Sequence, residues 1–137
     1  MSVLKVTHRL VFVLAFVALV GCGAGGSRKP TAHLQGTVTI GGQPIPSDAQ
    51  ASINFKPTAS GQAPSTSAQI TNGKFDAPDV PIGDIIVYFN VQQPTGRMVR
   101  EGTGTPYAEM RSLVPEKHGT GMTLKVAGDN LEQNFDL

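Results

Sequence analysis

The chain has 137 residues and nearly balanced charge, 11 Lys and Arg against 10 Asp and Glu, for a net charge of +1. That balance offers no basic field for nucleic acid or for an anionic membrane surface. The single cysteine, Cys22, excludes an intrachain disulfide, and 16 Gly with 10 Pro favour short strands and tight turns over helices.

Residues 1–21 are built as an export signal. Lys5 and Arg9 form a basic n-region, Leu10 to Val20 is unbroken apolar sequence, and small residues flank the expected cut. That run falls short of the roughly 20 residues needed to span a bilayer as a helix. The ending Leu19-Val20-Gly21-Cys22 resembles the lipobox of bacterial lipoproteins, in which the cysteine thiol takes a diacylglycerol and becomes the new N-terminus. The resemblance implies lipidation of Cys22 and stable membrane anchorage, each buried CH₂ adding about 0.8 kcal/mol. Gly23 is not the Asp that favours inner-membrane retention in enterobacterial lipoproteins, which implies an outer-membrane site in a bacterial envelope. Residues 22–32, small and polar, read as a flexible tether reaching roughly 30 Å. Residues 33–137 read as one domain.

Within that domain apolar residues alternate with polar ones, the period of half-buried strands. Leu34, Gly36, Val38 and Ile40 share one face, and Gly41 to Pro46 is turn chemistry. Ala51, Ile53 and Phe55 follow, then a loop from Pro57 to Pro64, then Thr66, Ala68 and Ile70. Asn72-Gly73 predicts a tight hairpin, because both central residues of a type I′ turn need positive φ. Phe75 and Ala77 begin a return strand that Pro78 and Pro81 should push to a sheet edge. Ile85, Val87, Phe89 and Val91 form the clearest inward row, and Ile86 with Tyr88 on the other face predict a central strand. Met122, Leu124 and Val126 give one more strand, and Leu131, Gln133, Phe135 and Leu137 the last. The expectation is an all-β, seven-stranded antiparallel β-sandwich. Gln93 to Gly121 reads as one long loop of functional length, with a short helical turn over Pro106 to Leu113.

Gly36-Thr37-Val38-Thr39-Ile40-Gly41-Gly42-Gln43-Pro44-Ile45-Pro46, Ile53-Asn54-Phe55-Lys56-Pro57, Asn72-Gly73-Lys74-Phe75 and Pro81-Ile82-Gly83-Asp84 together resemble the carboxypeptidase regulatory-like, or transthyretin-like (prealbumin-like), domain. The tail, with Leu113-Val114-Pro115-Glu116-Lys117-His118 and Phe135-Asp136-Leu137, is similar to small lipoproteins of planctomycete-type bacteria. The resemblance implies a transthyretin-like β-sandwich that accompanies enzymes without performing chemistry and takes no cofactor.

The residues agree with a non-enzymatic reading. Downstream of Cys22 the histidines are His33 and His118, and no G-x-S-x-G elbow is present. These histidines lack zinc-ligand spacing. Asp76, Asp79 and Asp84 flank a proline-rich turn but lack the spacing of a calcium loop. Gly102-Thr103-Gly104-Thr105 is no phosphate cradle. Arg97, Arg100 and Arg111 could hold an anion, yet Glu101 and Glu109 interleave with them. Tyr107 is the one platform ring for a sugar. The expected function is a lipid-anchored structural or protein-contact module of the envelope, meeting envelope proteins or glycans through the 93–121 loop, with Tyr107, Arg97 and Arg100 as contact candidates. The alternative is a carbohydrate-binding module of starch-binding-like fold.

Overall fold

The computed structural model describes residues 28–137. The segment read as an export signal, with Leu19, Val20 and Gly21, and the lipidation candidate Cys22 lie outside the described residues. Nine strands follow one another: β1 (Thr31–Ile40), β2 (Gln43–Pro44), β3 (Gln50–Pro57), β4 (Thr66–Thr71), β5 (Lys74–Pro81), β6 (Gly83–Val99), β7 (Tyr107–Ser112), β8 (Met122–Val126) and β9 (Phe135–Asp136). The architecture is all-β and almost wholly antiparallel, as the alternation predicts, and the sheet curls on itself into a sandwich-like half-barrel. Thr31 and Ala32, the end of the segment read as tether, already belong to β1.

The curl has a seam at β4. Its residues Thr66 to Gln69 pair with β3, whereas Ile70 and Thr71 pair with β5 across the Asn72-Gly73 turn. That turn has φ of 52° and 73°, the left-handed pair that Asn-Gly supplies. One layer is therefore β1 and β5 with β2 and β9, the other β3 and β6 with β7 and β8. Apolar side chains between them are fully enclosed: Leu34, Val38, Ile53, Phe55, Val80, Ile85, Val87 and Val91. Phe55 meets Phe75, Phe75 meets Phe135, and Phe135 meets Phe89 edge-on at 5.2 Å. Such aromatic contacts add about 1 kcal/mol each beyond area burial.

Four expectations need correction. First, nearly half of the long loop is sheet: β6 continues to Val99 and β7 returns alongside it. Tyr107–Ser112 is strand, not helical turn, because cross-strand partners on β6 outweigh one N1-type proline; among the described residues the one helical element is a 3₁₀ turn at Glu116–His118. Second, the strand count is nine, since Gln43–Pro44 and Tyr107–Ser112 join the sheet. Third, β5 is an edge only in part: it pairs with β1 along its length and with β4 at Lys74 and Phe75, so the stretch bearing Pro78 and Pro81 has a ladder partner on one side alone. Pro78 is tolerated there because the register shifts: Pro78 and Asp79 together face the single residue His33, a bulge that needs no proline N–H. Fourth, Leu131 is 58% exposed in a turn, and only Phe135 and Leu137 of its row enter the core.

Candidate functional site

Beyond Gln92, where β3 ends its pairing, β6 and β7 leave the sandwich as a two-stranded arm. No residue from Gln92 to Ser112 is fully buried. The ladder is Gln92 with Ser112, Gln93 with Arg111, Pro94 with Met110, then a shift around Thr95 to Arg97, then Met98 with Ala108 and Val99 with Tyr107. Gly96 and Gly102 take positive φ, one in the bulge and one in the tip turn.

Polar contacts hold the arm together. The Thr95 hydroxyl donates to Glu109 Oε2 at 2.7 Å, Arg97 Nε lies 3.8 Å from the same oxygen, and Arg111 donates to Gln93 Oε1 at 2.8 Å. Gln93 in turn donates to Asp48 at 2.9 Å, fastening the base to the loop before β3. The Tyr107 hydroxyl donates to Glu101 at 3.0 Å across the tip. The structure thus brings Arg97 and Tyr107 onto one arm, each beside a carboxylate of that arm, and sets Arg100 in the tip. Exposed ion pairs of this kind contribute about 0–1 kcal/mol, so the arm is shaped more by its ladder than by charge. Met98, at 66% exposure, and Tyr107, at 49%, are its outward apolar groups.

Met98 and Met110 were not among the candidates the sequence offered. The signal was present: two alternating runs flank the Gly102–Gly104 turn, the pattern of a hairpin. Pro94, Gly96 and Pro106 interrupt it, which makes a loop the natural reading.

The remaining candidates do not converge. His33 Nε2 donates to Asp76 Oδ1, and this hydrogen bond holds the Asp76 carboxyl below its usual range, with a smaller contribution from Gln35. His118 lies far along the chain, its Nε2 shielded and without a partner. No Ser, Thr or Cys side chain hydrogen-bonds either imidazole among the described residues. Likewise, no three His, Cys, Asp or Glu side chains there gather as a metal site. Asp79 and Asp84 instead offer backbone carbonyls to Thr66 and Thr58. The surface depressions are shallow and open; one, lined by Gln35, Gln69, Thr71, Lys74 and Asp76, lies on the outer face of β1, β4 and β5.

Among the described residues no helix is long and apolar enough to cross a membrane. Comparisons of the chain with protein-family models, curated proteins and solved structures each return no match.

Proposed function

We propose that the chain is a lipid-anchored, non-enzymatic contact module of a bacterial cell envelope. A transthyretin-like β-sandwich stands on an acylated Cys22, on the outer membrane, and presents the β6–β7 arm to an envelope protein. The observation that carries this reading is the position of the arm. Pro30, the last residue before β1, accepts a hydrogen bond from the Ile82 N–H, so the chain enters beside the start of β6. β6 then runs 17 residues away from that point, up to about 50 Å at strand rise. The chain's entry at Pro30 and the arm tip therefore lie at opposite ends of β6. Loops and ribbons carried on a rigid scaffold are where contact residues concentrate.

Fatty-acid labelling of the full chain in a bacterium tests the anchor. Label and membrane pelleting should disappear together in Cys22→Ser, and label missing from both forms would overturn it. Retention of envelope proteins on the immobilised chain, lost when the arm is replaced by a two-residue turn, tests the contact. Glycan binding would need rings, and Tyr107 is the one strongly exposed aromatic among the described residues. Glycan retention that falls with Tyr107→Ala would favour that alternative.

A further inference from the structure

The edges of the sheet are unequally guarded. β1 is covered by residues 128–137, β8 is five residues with Lys125 within it, and β2 and β9 are two residues each. Lysines and short strands are the ordinary means of blunting an edge. On the arm, the β6 side is blunted too. The Leu113 N–H donates to the Val91 carbonyl, so by strand alternation Gln93 and Arg111 face each other's backbone while Pro94 and Met110 turn theirs outward. Pro94 has no N–H to offer there. β7 has neither Pro nor Lys: Tyr107-Ala108-Glu109-Met110-Arg111-Ser112 presents the outward N–H and C=O groups of Met110 and Ser112 along six residues.

We infer that this edge pairs with the same edge of a second copy, antiparallel, about a two-fold axis through Met110. An isologous strand pair must match residues of the same face, so its centre falls on a residue. Centring on Glu109 sets Glu against Glu, and centring on Arg111 sets Arg against Arg. Centring on Met110 sets Glu109 opposite Arg111 of the second copy twice over, Met110 on Met110, and half-exposed Tyr107 against Leu113. Opposite charges directly across a ladder are favourable and like charges unfavourable, so the charge pattern selects that one register. The two β6 strands then run in opposite directions, and the two Pro30 ends point apart. Such a pair suits linkage of two facing surfaces.

The inference rests on the arm being the contact surface, and its test separates the two ideas. The detergent-solubilised full chain is expected to sediment as a dimer. Glu109→Arg and Arg111→Glu should each weaken association roughly tenfold, replacing two attractive pairs by two repulsive ones. Mixing these two variants should restore association as a heterodimer, and the double exchange should restore the homodimer. Met110→Pro, which removes an outward N–H and leaves the β6–β7 ladder intact, should abolish it. Association unchanged by all these substitutions, or not restored by mixing, overturns self-pairing. If arm replacement still abolishes capture of envelope proteins in that case, the contact reading stands without it; if capture persists, both fall.

Discussion

A methyl group at Gly36 would lie 1.9 Å from the carbonyl oxygen of Gln133, which is backbone and has nowhere to move. Gly36 is thus the point where residues 128–137 press against β1, and φ has no part in the requirement. Gly36→Ala should destabilise the fold by about 1–3 kcal/mol, the usual cost of overpacking, visible as a lower urea midpoint. Asp136 works a few residues along the same seam. It accepts from the Gly42 N–H at 2.7 Å and from the Thr39 hydroxyl at 2.8 Å. The Gly42 bond chiefly, then the Thr39 bond, with Lys117 and His118 nearby, holds its carboxyl below the usual range. A carboxyl depressed in the fold contributes stability above its unfolded pKa, near 3.9, and loses it as pH falls through the folded value. Acid titration should therefore show wild-type stability dropping below about pH 4. Asp136→Asn should start less stable at neutral pH and fall less steeply over that window. Equal acid slopes in the two proteins would refute the role.

At the scale of elements, residues 128–137 act as a strap more than as a strand. Only Phe135–Asp136 is regular, yet contacts run the length of β1. Asp129 accepts from the His33 N–H, Asn130 exchanges backbone bonds with His33 and Gln35, Asn134 accepts from Thr37, and Leu137 bonds Thr39 and Gly41. The edge of β1 is closed by this means, with Asp and Asn side chains standing in where the ladder is irregular. Phe135 ties the strap into the core between Phe75 and Phe89. Phe135→Ala should cost about 3–5 kcal/mol and speed hydrogen exchange along β1 before the β3–β6 ladder, a difference that amide exchange rates would reveal. The alternation Leu131, Gln133, Phe135 and Leu137 disclosed the apolar residues of this element. Its parallel pairing with β1 and the exposure of Leu131 were not legible, because both depend on which backbone groups β5 has already taken.

At the scale of the molecule, the body and the arm are energetically separate. The body owes its stability to enclosed apolar side chains contributed by every long strand except β7. Replacing residues 94–110 by Asn-Gly, which joins the paired Gln93 and Arg111, removes no fully buried side chain. Thermal unfolding should shift by no more than about 4 °C, equivalent to less than 1 kcal/mol for a domain of this size. A large drop would mean that the arm belongs to the core.

The sequence alone determined the inward rows of β1, β3, β4 and β6, the Asn72-Gly73 hairpin and the all-β class. Each follows from local physics: a two-residue period that separates faces, and a turn that needs positive φ at consecutive positions. The tertiary structure decided the rest. β5 keeps Pro78 beside β1 because a bulge opposite His33 releases it from the ladder. Gly36 is glycine because a backbone nearly a hundred residues away crosses it. The 93–112 segment is an arm because β6, pinned by β3 at its base, continues past Pro94 and offers an edge on which β7 can still pair. Each depends on long-range neighbours, and periodicity within one strand carries no record of them.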